Sequence, residues 1–319
     1  MNNRTVDIIS SPCVISKKAD TVVKNRLAEN IQFEECRWLY ILTMPISWLL
    51  TFWVMVKKSI CFRFGKLNLN INTFWFDGLG LTCRGIKDGA ASWRALDIIY
   101  NHEFGKKKGV GGIVDNFWVG MINAQAVRNR LKIAKNEIRR AISEFKNEDE
   151  IRLLSLAAGS AQGVLEIMAE FQSMGVNVRA ILVDIDQTAL DYAMKLAESY
   201  GVDGQIETIK TGAAQVARIS KKFQPHIIEM LGLLDYIPHD KAIRLIGSIH
   251  NSLGSGGIFL TCNVCDNIER RFLKWVINWS MIYRNVNELT KIIRGGNFTD
   301  YWFVYEPHKV HCLVIARKE

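Results

Sequence analysis

Several features that would classify a protein quickly are missing from this sequence. Its seven cysteines, at 13, 36, 61, 83, 262, 265 and 312, are odd in number and scattered, so no disulfide framework is evident and a reducing compartment fits best. Cys262-x-x-Cys265 has no second CxxC, and His308, His311 and Cys312 fall in strand-like alternation, which argues against a zinc site. Met1–Asp20 is polar and lacks the apolar stretch of a secretory signal. The G-x-G-x-x-G dinucleotide fingerprint is absent, which disfavours dehydrogenases. Gly105-Lys-Lys-Lys-Gly-Val-Gly-Gly112 is read as a basic, glycine-rich loop, but it lacks Walker spacing and a preceding strand.

What is present is an ordinary globular composition with an uneven charge. Of 319 residues, 49% are apolar and 23% charged, which excludes disordered, collagenous and coiled-coil chains. The net charge is +9, and nearly all of it lies in one half. Residues 1–150 carry 23 basic and 15 acidic side chains, whereas residues 151–319 carry 18 and 17. A basic half joined to a neutral one implies an anionic partner: nucleic acid, a membrane surface or an acidic small molecule.

Trp38–Val56 runs for 19 residues without a charge, between Arg37 and Lys57-Lys58. That length could just span a bilayer. Pro45 interrupts it, however, and Arg4, Lys17, Lys18, Lys24, Arg26 and Arg37 lead into it, which resists translocation. Its aromatic residues (Trp38, Tyr40, Trp48, Phe52 and Trp53) suit a headgroup interface. Peripheral attachment, a buried helix and a true span are the three readings, in that order. Alternation at Leu67, Leu69 and Ile71 suggests a hairpin within 61–83, Ala90–Asn101 reads as helix, and Ile113–Lys146 as one long helix before an acidic linker.

From Ile151 the rhythm changes to short apolar strands alternating with amphipathic helices, the pattern of a parallel α/β sheet. Five such units occupy Arg152–Asn278, and Tyr301–Tyr305 with Val310–Ala316 reads as a closing hairpin. The organisation is an N-terminal, mainly helical extension over 1–112, a lid or linker helix over 113–150, and a seven-stranded sheet domain over 151–319, mostly parallel with an antiparallel last strand.

The first strand runs into Ala157-Ala-Gly-Ser-Ala-Gln-Gly163, whose small residues allow a tight turn and close approach of a ligand to the next helix N-terminus. The second strand ends at Asp184-Ile-Asp186, where a carboxylate can accept from both hydroxyls of a ribose. Together these residues are similar to the first two motifs of class I S-adenosylmethionine-dependent methyltransferases. Pro225-His-Ile-Ile-Glu-Met-Leu-Gly-Leu-Leu-Asp-Tyr-Ile237 resembles the family's fourth-strand motif, and Leu253-Gly-Ser-Gly-Gly-Ile-Phe259 its fifth-strand turn. Asp77-Gly-Leu and Gly89-Ala-Ala-Ser-Trp93 resemble a poorly characterised bacterial branch of such enzymes.

The resemblance implies a Rossmann-like fold and S-adenosylmethionine as cofactor, with no metal. It implies that Ala158, Gly159, Ser160 and Gly163 line the methionine part, that Asp184 holds the ribose, and that Ile185 and Leu231 flank adenine. Gly212 follows the third strand, and Gln215 beside it can reach adenine. Arg128 or Arg130 on the lid helix suits the cofactor carboxylate or an anionic substrate. Tyr236 and His239 are the proton-acceptor candidates, with Glu229 and Asp235 nearby, and Asn263 would orient substrate. Phe272, Trp275, Trp279 and Tyr283 share a helical spacing that reads first as packing; as pocket lining they imply an acceptor with an apolar body. Ser155 stands where the family often has an acid, and Ala157 and Ala161 stand where it has glycines, so a loop with negative φ is expected there.

The resulting expectation is a methyltransferase for a small-molecule or lipid-like acceptor, cytoplasmic and met at the inner face of a membrane. A nucleic-acid methyltransferase and a non-catalytic nucleoside-binding module are the alternatives. The first lacks an RNA-binding module and the Asn-Pro-Pro-Tyr or Pro-Cys signatures of base chemistry.

Overall fold

A computed structural model describes residues 14–16, 31–66 and 70–319. The polar leader apart from Val14–Ser16, five of the six basic residues preceding the apolar segment, and Leu67 and Leu69 lie outside the described residues.

The strands are β1 (Val14–Ser16), β2 (Ile151–Leu156), β3 (Val178–Asp184), β4 (Ile206–Lys210), β5 (Ile227–Met230), β6 (Ile258–Val264), β7 (Asp300–Tyr305) and β8 (His311–Arg317). They form one sheet in the order β1-β7-β8-β6-β5-β2-β3-β4. β2 to β6 pair in parallel, and β8 lies antiparallel between β6 and β7. The seven strands expected from the sequence are therefore there, and β1 adds an eighth along the outer edge of β7. Apolar cores cover both faces of the sheet. Ile133, Leu165 and Leu182 belong to one, while Leu154, Val183 and Ile246 belong to the other. Cys262 packs in the first core and Cys265 in the second, so the CxxC pair is split between faces.

Helices α6 (Gln162–Ser173), α7 (Gln187–Tyr200), α8 (Val216–Phe223) and α9 (His239–Ser252) connect the parallel strands. After β6 come α10 (Arg270–Phe272), continued by a π-helical turn over Leu273–Ile277, and α11 (Val286–Gly295). The sequence pattern passed over α11, although Asn285 and Glu288 form a full capping box at its start.

The N-terminal region is helical, as expected, but its parts are rearranged. It comprises α1 (Arg37–Arg63), a π-helical turn (Phe74–Gly78), α2 (Leu81–Asp88), α3 (Trp93–Tyr100), α4 (Gly109–Val119) and α5 (Ile122–Glu144). The hairpin expected within 61–83 is corrected: its two ends are helical, and the buried Asp77 ties the turn by accepting from Thr73 and Lys87. The glycine tract 109–112 is the first turn of α4 rather than a loop. A Cβ on Gly111 would meet the Leu79 carbonyl oxygen at 2.6 Å, and one on Gly112 would meet that of Lys107 at 2.1 Å. These glycines serve close packing. The long helix expected over Ile113–Lys146 is broken at Gly120-Met121, and the new N-terminus of α5 is capped from far away. The Glu269 carboxylate accepts from the backbone N–H groups of Ile122 (3.2 Å) and Asn123 (2.9 Å).

Helix α1 is oriented unusually. Thr43, Ser47, Leu50, Thr51, Val54 and Lys58 recur every three to four residues and are buried against the protein. Thr51 donates to the Ser47 carbonyl, and Lys58 donates to the Trp275 carbonyl (2.9 Å) and to Asn278 Oδ1. The solvent side instead carries Trp38, Ile41, Leu42, Trp48, Leu49 and Phe52, with Leu49 at 72% and Phe52 at 67% exposure. The helix hides its hydroxyls and a lysine while presenting its apolar face. Water alone would favour the opposite arrangement.

Candidate functional site

The loop after β2 is built on left-handed backbone. Ala157, Gly159 and Ala161 have φ of 53°, 56° and 50°. The negative φ expected for the two alanines is corrected: the loop keeps the glycine-like geometry and carries methyl groups in it. An alanine in this region costs ~1–2 kcal/mol. Ala157→Gly should therefore stabilise the fold by about 0.5–1 kcal/mol after the extra unfolded-state entropy of glycine is offset. A rise in the denaturation midpoint at constant slope would show this.

Asp184, at the end of β3, holds the loop in place. Its Oδ2 accepts from Gly159 N–H and its Oδ1 from Asp186 N–H, both at 2.9 Å. Each oxygen keeps lone-pair capacity for a further donor. Asp186 caps α7 through Thr188 and also accepts from the indole N–H of Trp93 at 3.1 Å. Trp93 begins α3, and a Cβ on Gly159 would lie 3.2 Å from the Trp93 Cβ, so the N-terminal region covers the loop directly. The sequence pattern gave no role to Trp93, since its contact with the loop exists only in the folded chain.

One cavity of about 360 Å³ joins this loop to a second chamber. Its cofactor-like end includes Ala158, Gly159, Ser160, Gly163, Asp184 and Ile185, with Leu231 beyond them. The other end is apolar and aromatic. Phe76, Trp118 and Phe272 from three separate elements pack with centroids 5.2–5.6 Å apart, Trp118 stacked on Phe272 and Phe76 edge-on to both, and Trp279 also lines the cavity. Of the four spaced aromatics, Phe272 and Trp279 line the cavity, while Trp275 packs with the N-terminal core and Tyr283 in a separate cluster.

Polar groups gather where the two ends meet. Glu229 on β5 is opposite Ser155 on β2 in register. Glu229 Oε2 accepts from Ser155 Oγ at 2.6 Å, and Oε1 from Leu231 N–H at 3.0 Å. Burial pushes the Glu229 carboxyl up to about 7 against the hydrogen bonds that favour its ionised form. Asp235 is likewise raised by burial to about 6, and burial raises Tyr236 to about 12. Arg130 donates to the Tyr100 hydroxyl at 2.5 Å and approaches Cys262 Sγ at 3.9 Å. His311 also lines the cavity, and burial followed by the Arg130 charge holds it neutral.

The folded chain separates several of the sequence-derived candidates from this site. Arg128 turns away from the cavity: its Nε and Nη2 donate to the Glu34 carboxylate at 2.7 and 2.6 Å. Arg130, two residues on, is the arginine that lines the cavity. Asn263 is fully buried, donating to Val264 and Ile282 carbonyls and accepting from Arg284, so it braces a loop rather than a substrate. His239 is exposed at the start of α9 and is not a cavity wall. Gly212 is also off the wall, next to Ile185. Tyr236 does line the cavity, but it accepts from Trp279 Nε1 at 2.6 Å and stays protonated, which makes it a poor base.

A raised carboxyl leaves a signature in stability. Because the folded value of Glu229 (about 7) exceeds the ordinary glutamate value of 4.5, its contribution is intact below pH ~4.5 and lost as pH rises through about 7. Glu229→Gln should therefore be relatively more stable at pH 8 than at pH 5, by up to about 3 kcal/mol. Denaturant titrations of both proteins at the two pH values would measure the difference.

Strand order, the loop after β2 and the strand-end Asp184 together define the fold of the S-adenosylmethionine-dependent methyltransferases. The chain belongs to the family described as "Putative methyltransferase", which matches residues 47–299. It is similar in structure to a "possible exported protein" of Bordetella parapertussis, with TM-score 0.59 and 17% identity over 75% of this chain and 86% of that one. It is also similar to the magnesium protoporphyrin IX methyltransferase of Synechocystis, solved with bound S-adenosylhomocysteine, with TM-score 0.49 and 11% identity over 62% and 87% of the two chains. No protein of curated function matches the sequence.

Proposed function

We propose that the protein transfers a methyl group from S-adenosylmethionine to a small, largely apolar acceptor, and that it works while resting on a membrane surface. The observation that carries the reaction is the single cavity joining the Asp184-braced loop to the chamber of Phe76, Trp118, Phe272 and Trp279. The residues present fit the cofactor. Asp184 keeps acceptor capacity for a ribose, Ile185 and Leu231 offer apolar surface for a base, and the loop offers close backbone approach. When bound, S-adenosylmethionine supplies an electrophilic methyl group on a sulfonium. The chain's own work is then to position the acceptor and exclude water.

Proton removal, where the acceptor requires it, falls to Asp235 in place of Tyr236 and His239. It lines the cavity, accepts from Val264 N–H with Oδ1, and ionises near pH 6. The aromatic lining of the chamber favours a flat or hydrocarbon-rich acceptor over a polar one. The exposed apolar face of α1, flanked by Lys57 and Arg63, supports peripheral contact with an anionic bilayer. Among the described residues, one helix is long and apolar enough to cross a membrane by length and composition. Its packed stripe of Thr43, Ser47, Thr51 and Lys58 favours an in-plane placement instead.

The test is methyl transfer from labelled S-adenosylmethionine into an organic extract and, separately, into total RNA. Label in the organic phase supports this reading. Label confined to RNA favours a nucleic-acid methyltransferase, and cofactor binding without transfer to either favours a non-catalytic module.

A further inference from the structure

Two ionisable side chains in the cavity, Arg130 and Glu229, stand without an ion pair among the described residues. Arg130 is buried at 3% exposure, and its hydrogen bonds are to the Tyr100 hydroxyl and the Cys262 sulfur. Glu229 is buried at 6% exposure, and its hydrogen bonds come from the Ser155 hydroxyl and the Leu231 backbone. The Arg130 charge acts on Glu229, yet no salt bridge joins the two among the described residues. Buried opposite charges ordinarily pair, since desolvation is otherwise uncompensated. Two held apart on the wall of one cavity suit a ligand that carries both charges at a fixed separation.

From this juxtaposition we infer that Glu229 and Arg130 form a clamp for the α-amino-acid end of the cofactor: Glu229 takes the ammonium group and Arg130 the carboxylate. The inference rests on the cofactor reading above and extends it to two residues of this chain. Its basis is positional as well as electrostatic. Ser155 and Glu229 are cross-strand partners immediately before the ligand loop, and Ser155 is where methyltransferases of this fold often have an acid. In this chain an acid stands one strand over, on β5, and the Ser155 hydroxyl orients it by donating to Glu229 Oε2. A guanidinium offers two parallel N–H donors to a carboxylate, and Arg130 is aimed at the turn after β5: a Cβ on Gly232 would lie 3.9 Å from Arg130 Nη1. Asp235 also senses Arg130, but it is committed to Val264 N–H and neighbours Arg284, which bonds the surrounding carbonyls.

Calorimetry with two probes on the full chain tests the clamp. S-adenosylhomocysteine carries the amino-acid end, and 5′-methylthioadenosine has the same nucleoside and thioether without it. Glu229→Gln and Arg130→Gln should each weaken S-adenosylhomocysteine roughly 10- to 100-fold, the range of a lost charge-assisted hydrogen bond, and leave 5′-methylthioadenosine within about threefold. The double variant Ser155→Asp with Glu229→Ser, which returns the acid to the first strand, should recover most of the S-adenosylhomocysteine affinity. Equal weakening of both probes would show a structural role and overturn the clamp, as would unchanged S-adenosylhomocysteine affinity in either single variant. If the parent protein binds neither probe, the cofactor reading itself is wrong and the clamp goes with it.

Discussion

Replacing Asp184 by alanine is expected to lower affinity for S-adenosylhomocysteine by about 10- to 100-fold, because two kinds of interaction go with one carboxylate. The first is with the ligand: each hydrogen bond from a ribose hydroxyl to an ionised acceptor contributes on the order of 1.5–3 kcal/mol. The second is internal. Gly159 N–H and Asp186 N–H both lose their acceptor, so the loop after β2 and the start of α7 are no longer tied together. Asp184→Asn separates the two contributions. It keeps the size of the side chain but presents an NH2 group to one of those two backbone donors. Calorimetry reads the affinity, and thermal melting without ligand reads the loop. Alanine and asparagine variants that both bind as tightly as the parent would remove Asp184 from the site.

Vesicle binding should collapse when the exposed face of α1 is made acidic. Leu49→Glu with Phe52→Glu is expected to lower partitioning onto phosphatidylcholine–phosphatidylglycerol vesicles more than 100-fold, since burying each apolar side chain contributes ~1.5–3 kcal/mol. Both side chains face solvent, so the variant should melt like the parent. Val54→Glu, by contrast, places a charge at a position with 1% exposure and should unfold the N-terminal region. Sedimentation of the double variant equal to that of the parent would rule out α1 as the membrane contact. Salt should weaken binding without abolishing it, because the attraction to anionic lipid is screened while apolar burial persists.

These two experiments address parts of the molecule that differ in how visible they are from sequence. The sheet was readable because each parallel strand is a short apolar run between turn residues, and Gly159 and Asp184 stand out by their places at successive strand ends. The orientation of α1 was hidden by hydropathy, which sums a window and ignores direction; only the spacing of Thr43, Ser47, Thr51 and Lys58 carries it. Choosing between Arg128 and Arg130 needed the fold, because residues two apart on a helix point to nearly opposite sides. Phe76, Trp118 and Phe272 come from elements far apart in the chain, so no local pattern could assemble the acceptor chamber. The glycine tract misled because glycine's absence of a side chain serves loops and close helix packing alike.

The Glu269 cap on α5 has a kinetic consequence. The first turn of α5 is completed by a residue 146 positions later, and β1 reaches β7 across a still longer span of chain. Loops of that size must close before these contacts contribute, so the α5 turn and the sheet's outer edge should be slow to form. A chain emerging in order from its N-terminus would keep α5 uncapped until Glu269 has arrived, while the apolar face of α1 is open to solvent before and after that point. On the membrane-surface reading proposed above, a bilayer close to the site of synthesis would shield that face during the interval in which aggregation is most dangerous.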